Sequence, residues 1–304
     1  MSGSVDWGPL QTYLDNPEIN EIMVINDGEV WVEDIDGLHK VASLNSKQTQ
    51  HCVEQIARSS GRRIDLMSPI LDARMSDGSR ACVVIPPIAV DGPTISIRKF
   101  SKRILPLASF GPAAATDIVK QLITTRANIV ISGATSSGKT SLLSSASQFF
   151  SPHERIVCVE DTSELRFAHS HVVALQTRQP NQEGSGAISM QSLVRTSLRL
   201  RPDRLIVGEV RGAEVIDMLL ALSSGHRGCW STVHSSSASE TISRLSALVL
   251  RDSPQWSSRQ SLQIIHSAID AVIHVERTSS HRRRICDIIQ LQPQAVAEHL
   301  YKVA

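Results

Sequence analysis

The segment Gly133-Ala-Thr-Ser-Ser-Gly-Lys-Thr140 sets two glycines, a lysine and a hydroxyl at the spacing G-x-x-x-x-G-K-[ST]. That spacing cradles the phosphates of a nucleoside triphosphate when a strand precedes it and a helix follows. Here the largely apolar run Asn128-Ile-Val-Ile-Ser132 precedes it, and a helical stretch, Ser141 to Phe150, follows. Gly133 and Gly138 open backbone conformations closed to residues with a side chain. Successive N–H groups across Ala134, Thr135, Ser136 and Ser137 can then converge on phosphate oxygens. The helix starting near Lys139 adds the positive end of its dipole. Lys139 is expected to reach the β- and γ-phosphates and the Thr140 hydroxyl to ligate Mg²⁺, with Ser141 completing the segment. ATP and Mg²⁺ are the expected ligands.

Phosphoryl transfer also needs polar groups at the carboxyl edge of the sheet that carries the loop. Three candidate strands deliver them. Ile156-Val-Cys-Val-Glu160-Asp161 ends in a carboxylate pair, Leu205-Ile-Val-Gly-Glu209-Val-Arg211 in one glutamate, and Ser231-Thr-Val-His234 in a histidine. Glu209 is the candidate for orienting and polarising the attacking water. Glu160 and Asp161 are candidates for holding Mg²⁺, directly or through its waters, because a hard cation prefers oxygen. The usual second phosphate-site strand ends in an Asp-Glu pair. Gly208 stands at the Asp position, so a carboxylate from the Glu160-Asp161 strand has to supply part of the metal's surroundings. His234 is a candidate γ-phosphate sensor, since its charge changes near neutral pH. The plainer readings make Glu209 a strand-end acid paired with Arg211 and His234 a satisfied core-edge residue.

The elements that must position these groups divide the chain into an N-terminal α/β domain (1–103), a linker (104–112) and a larger domain (113–304). In the first, Glu21–Ile25 and Glu29–Glu33 read as a hairpin around Asn26-Asp-Gly28. Ser46–Ser60 reads as a helix with Val53, Ile56 and Ala57 on one face, closed by Gly61. Arg80–Ile85 and Thr94–Arg98 read as strands, and Pro106, Gly111 and Pro112 mark the linker. From about Ala113 helices and apolar strands alternate, the pattern of a parallel sheet with crossover helices. The strands expected there are 128–132, 155–160, 171–176, 204–210, 230–234, 271–277 and 284–291. The helices expected are 189–201, 213–224, 238–250 and 258–269.

Composition narrows the function classes. A net charge of +1 and 4% aromatic residues in 304 give neither the basic surface nor the stacking platforms of a nucleic-acid binder, so no stable nucleic-acid binding is expected. No apolar run approaches the roughly 20 residues that span a bilayer. Cys52, Cys82, Cys158, Cys229 and Cys286 contain no C-x-x-C pair. Neither a zinc site nor a disulfide framework is therefore expected, and they read as small apolar residues in a reducing cytosol.

Taken in order, the motifs resemble those of the type II/IV secretion system ATPase superfamily. Gly133–Thr140 is similar to its Walker A motif, and Val159-Glu-Asp-Thr-Ser-Glu-Leu165 to its Asp box. Leu198 to Gly212 resembles its Walker B region, and Gly225-His-Arg-Gly228 with Ser231-Thr-Val-His234 its His box. Ile19-Asn-Glu-Ile-Met-Val24, Ser76-Asp-Gly-Ser-Arg80 and Ile95-Ser-Ile-Arg-Lys-Phe100 resemble the N-terminal domain of the tight-adherence (Flp) pilus assembly branch. The loop departs from the family pattern at Ser136, where a glycine is usual, and at Ser141, where a threonine is usual.

The resemblance implies a RecA-like P-loop NTPase domain behind a smaller N-terminal α/β domain, with the nucleotide between the two. It implies that arginines of the first domain reach the phosphates, and Arg80 and Arg98 stand at the matching positions, with Arg74 a weaker match. It implies a homo-hexameric, cytoplasmic ATPase motor that powers pilus assembly or protein secretion. Such a motor sits peripherally at the inner face of the membrane through an inner-membrane platform protein. The alternatives are a conjugation-type (type IV) secretion ATPase, with the same chemistry in another machine, and an ATP-gated scaffold that hydrolyses little.

Overall fold

The computed structural model describes residues 6–26, 28–34, 36–75, 77–99, 104–178, 180, 185–278, 282–292 and 297–303. Asp27, Ser76, Phe100 and residues 101–103, which belong to the turn, motifs and boundary named above, lie outside the described residues. The chain divides into two compact units, 1–102 and 103–304.

The first unit contains α1 (Gln11–Asp15), β1 (Glu21–Ile25), β2 (Glu29–Asp34), β3 (Gly37–Ser43), α2 (Ser46–Ser60), β4 (Ile70–Arg74), β5 (Arg80–Val84) and β6 (Thr94–Arg98). Its strands form one antiparallel sheet in the order β3-β2-β1-β6-β5-β4. Strict alternation decides which face is dry. Ile22 and Val24, Ala81 and Val83, and Ile95 and Ile97 point into the core, while their neighbours point outward. Cys52, Val53, Ile56 and Ala57 of α2 supply the other side of that core. Asn45 and Gln48 form a capping box at the start of α2, and Gly61 ends it at φ +65°.

The second unit contains α3 (Ala113–Thr124), β7 (Ile129–Gly133), α4 (Lys139–Ala146), β8 (Ile156–Glu160), β9 (Val172–Gln176), α5 (Met190–Ser197), β10 (Arg204–Val207) and α6 (Glu214–Ser223). It continues through β11 (Trp230–His234), α7 (Ala238–Asp252), α8 (Ser258–Ala268), β12 (Ala271–Arg277), β13 (Arg283–Leu291) and β14 (Ala297–Lys302). The sheet runs β14-β13-β12-β7-β11-β10-β8-β9. The six strands from β12 to β9 are parallel, and β13 and β14 extend it antiparallel. β7, β8 and β10 are buried along their whole length, as strands covered by helices on both faces must be. Residues of α3 and α4 pack on one face with Ile129, Ile131, Ile156 and Ile206, and residues of α5 to α8 on the other with Val130, Val159, Leu205 and Val233.

Two sequence expectations change. The stretch 104–112 is more than a linker, because Leu107–Phe110 forms a 3₁₀ turn whose Leu107 and Phe110 are buried in the core of the second unit. The strand expected over 204–210 stops at Val207, so Glu209 stands beyond the strand rather than at its end. Among the described residues no helix is long and apolar enough to cross a membrane.

Candidate functional site

β7 leads directly into the glycine-rich loop, and α4 begins at Lys139. Gly133 has φ +154°, and a Cβ there would lie 2.2 Å from the Val275 carbonyl oxygen of β12, so only glycine lets the loop turn this close to the neighbouring strand. Gly138 caps α4 at φ +103°. Ser136 occupies the left-handed region at φ +58°, the conformation its usual glycine adopts without cost. Ala134, Thr135 and Ser136 face solvent, while Ser137 is buried and its Oγ has no hydrogen-bond partner. Thr140 and Ser141 are half-buried in the first turn of α4.

Lys139 is 6% exposed. Its Nζ donates to the carbonyls of Gly133 at 3.0 Å and Ala134 at 2.8 Å, and it lies 3.3 Å from His234 Nδ1. The parallel register pairs His234, the last residue of β11, with Gly133, the last residue of β7, which sets the imidazole beside the loop. His234 Nε2 in turn lies 3.0 Å from Glu209 Oε1, off the direction of a hydrogen bond, which leaves that oxygen without a donor. The other Glu209 oxygen accepts from Arg211. Burial, and then the adjacent Lys139 charge, pull the His234 pKa below its ordinary value against the opposing pull of Glu209. That shift favours the neutral ring, whose Nδ1 lone pair can accept from the ammonium.

Glu209 is held in place by backbone outside any strand. Thr232 Oγ1 donates to the Gly208 carbonyl at 2.6 Å, and Val210 N–H donates to the Thr232 carbonyl at 2.8 Å. Buried Glu214 accepts from the N–H groups of Arg211 at 2.6 Å and Gly212 at 2.7 Å, which anchors the segment carrying Arg211. Sequence reasoning missed Thr232 and Glu214. An acidic residue in the first turn of α6 was the available signal for the latter.

The Glu160-Asp161 pair splits into two environments. Glu160 is 5% exposed, and its Oε1 accepts from the N–H groups of Glu164 and Leu165, both at 2.9 Å, while Cys158 Sγ lies 3.6 Å from Oε2. Burial raises its pKa, and the two backbone donors resist that rise. Asp161 is exposed and accepts from Thr177 Oγ1 at 3.2 Å. Gly208 lies against Glu160, in the position where the aspartate of an Asp-Glu pair would stand.

In the first unit, the register places Arg74 opposite Arg80, Arg80 opposite Arg98, and Arg98 opposite Glu21. Three arginines thus form one row across β4, β5 and β6 on the face away from the core, all exposed. Like charges directly opposite each other destabilise a sheet, so such a row is a feature that packing does not supply a reason for.

Together these features define a P-loop NTPase domain with an arginine-bearing α/β domain before it. The chain belongs to the type II/IV secretion system protein family, whose sequence profile matches residues 4–302. Rv3659c of Mycobacterium tuberculosis, which carries a conjugal-transfer name, is 35% identical over 298 residues, covering 94% of this chain and 84% of that protein. The type IV secretion system protein PtlH of Bordetella pertussis is 32% identical over 313 residues, covering 92% of each. Among solved structures, the VirB11 ATPase from the Brucella suis type IV secretion system, in complex with sulphate, superimposes with a TM-score of 0.53 at 26% identity, covering 93% of this chain and 92% of that one. The fold expected from the sequence, a RecA-like domain with a smaller N-terminal α/β domain, is the fold of this family.

Proposed function

We propose that the chain is an ATP-hydrolysing motor of a secretion, conjugation or pilus machine. The observation that carries this reading is the contact series Lys139–His234–Glu209, which links the phosphate loop to a carboxylate across the ends of neighbouring parallel strands. Lys139 would meet the β- and γ-phosphates, together with the N–H groups of the loop from Gly133 to Gly138. The buried, unpartnered Ser137 hydroxyl is a polar atom that a phosphate oxygen would satisfy. Glu209, with one oxygen lacking a donor, would orient and polarise the attacking water, while Arg211 holds the other. His234, neutral between Lys139 and Glu209, would register whether the lysine is engaged with phosphate.

Hard oxygen donors suit Mg²⁺, and Thr140 with the exposed Asp161 carboxylate would hold it. Bound there, it would neutralise charge on the phosphate oxygens. Glu160, with its oxygens engaged by two N–H groups and a thiol, would serve through the metal's waters and by shaping the loop that carries Asp161. Following the family resemblance, the exposed Arg80 and Arg98 would act on nucleotide phosphate, where bidentate guanidinium contacts favour the charged γ-phosphate.

We further propose a homo-hexamer that docks on a membrane platform protein from the cytoplasmic side. The names of Rv3659c and PtlH favour a conjugation or type IV secretion machine over a tight-adherence pilus for this chain. Steady-state ATP hydrolysis by the purified protein, with its mass measured in solution, tests the motor. Turnover that vanishes in Lys139→Ala supports it. Tight ATP binding without turnover supports the scaffold instead, and stimulation by single-stranded DNA would point to a nucleic-acid translocase.

A further inference from the structure

Behind the phosphate loop, on the β12–β13 hairpin, His274, Glu276 and Cys286 bring Nε2 or Nδ1, a carboxylate oxygen and Sγ within 4.8 Å of one another. Three features of the fold produce this grouping. His274 and Glu276 are two apart on β12 and so share a face, with Nε2 3.7 Å from Glu276 Oε1. The ladder has a bulge, since His274 pairs with Asp287 and Val275 with Ile285, which leaves Cys286 as the extra residue. A bulge re-aims a side chain, and the Cys286 thiol sits 3.5 Å from the His274 carbonyl oxygen. The second imidazole nitrogen is also engaged, because fully buried Ser132 of β7 holds His274 Nδ1 at 2.9 Å. That contact orients the ring and leaves Nε2 directed at Glu276, the arrangement in which a metal-binding histidine is anchored through its other nitrogen.

We propose that His274, Glu276 and Cys286 form a three-ligand site for a borderline-soft divalent cation, best matched by Zn²⁺, with the fourth position open to solvent. Nitrogen, carboxylate and thiolate together are a donor set that zinc accepts and that Mg²⁺, an oxygen-seeking ion, does not. Ligand atoms about 3.5 Å apart are expected around a tetrahedral zinc with bonds of about 2.0–2.3 Å, so closure by about 1 Å suffices. Glu276 can supply it, since its side chain is 52% exposed while His274 and Cys286 are buried. The same exposure provides the entry path. Burial and the nearby Glu276 push the Cys286 thiol up to about 12, with Asp287 adding to the rise and Arg284 opposing it. A dication would reverse the carboxylate effect by stabilising the thiolate, and binding would release a proton. The scattered cysteine spacing concealed this set because its ligands come from two strands of one hairpin.

The test uses the full-length, tag-free protein without nucleotide or Mg²⁺. Titration with Co²⁺ should produce a thiolate charge-transfer band at one equivalent, bleached by Zn²⁺. Cys286→Ser should lose the band and Cys82→Ser, at an exposed cysteine, should keep it. Glu276→Gln changes an exposed residue and should retain the fold while weakening Zn²⁺ binding at least tenfold in a chelator competition. Absence of a thiolate band, a band that survives Cys286→Ser, or wild-type Zn²⁺ affinity in Glu276→Gln would overturn the site.

Discussion

A Cβ placed on Gly208 would lie 2.7 Å from Cγ of Glu160, so only glycine leaves that glutamate room to reach the N–H groups of Glu164 and Leu165. The missing aspartate of the Asp-Glu pair and the buried Glu160 are thus one adaptation. Gly208→Ala should destabilise the protein by about 1–3 kcal/mol, the usual cost of overpacking a filled interior. Urea denaturation measures it, and the penalty should shrink when Glu160→Ala is combined with it, because the two side chains compete for one volume. Equal penalties in both backgrounds would separate the residues.

Glu209→Gln should bind ATP within a few-fold of the unmodified chain and lose turnover by about 10²–10⁴, the range for a group that assists proton transfer. Nucleotide binding by fluorescence and phosphate release by a coupled assay distinguish the two effects. Normal turnover in this variant would remove Glu209 from its assigned role.

Ser136 already occupies the left-handed conformation of its usual glycine, so Ser136→Gly should keep the loop's shape. Relief of the side-chain strain and the added freedom of the unfolded chain nearly cancel, and stability should change by no more than about 1 kcal/mol. ATP affinity should stay within about threefold. Ser136→Val, whose branched side chain resists positive φ, should lose binding in the same assay.

Arg80 and Arg98 repel each other across β5 and β6, so Arg80→Ala should hold stability constant or raise it by a few tenths of a kcal/mol at low ionic strength. ATP turnover should fall tenfold or more in the same variant. A melt recorded at two salt concentrations, beside the turnover assay, reads both. A large loss of stability would make the row structural instead.

Because burial and Lys139 depress the His234 pKa, the folded chain binds that proton less readily than the unfolded chain. Its contribution to stability is present above the ordinary histidine value of about 6.5 and is lost as pH falls from there toward the folded value. Burial drives the shift, Lys139, Arg211 and Arg244 add to it, and Glu209 opposes it. Unfolding free energies measured across this window should fall less steeply in His234→Asn than in the parent.

Legibility in the sequence followed apolar patterning, which even the half-exposed edge strand β9 keeps in Val172, Val173 and Leu175. β1, α2, β6, β11 and β12 begin and end where their apolar patterns do. The three unread strands, β3, β4 and β14, all lie at sheet edges, where pairing with one neighbour defines a strand that few buried side chains announce. His39, Lys40 and most of β14 face solvent and carry no such mark. The phosphate loop, Glu160, Glu209 and His234 were legible because their chemistry is encoded at short spacing. The arginine row was legible only through family resemblance, since its members are brought together by register. Thr232 and Glu214 act by bonding to backbone that adopts no regular structure, and nothing local in the sequence reports such a bond.

Lys139 donates to two carbonyls of the loop it serves. An anion that draws the ammonium outward must break those bonds as it makes its own, so recognition is an exchange of acceptors. Weakly charged or singly anchored anions gain little from such a trade, whereas a polyphosphate held at several N–H groups gains enough to win it. The loop's own carbonyls thereby act as a competing ligand built into the chain, one that sharpens selectivity and offers the lysine an immediate alternative partner when a cleaved phosphate departs.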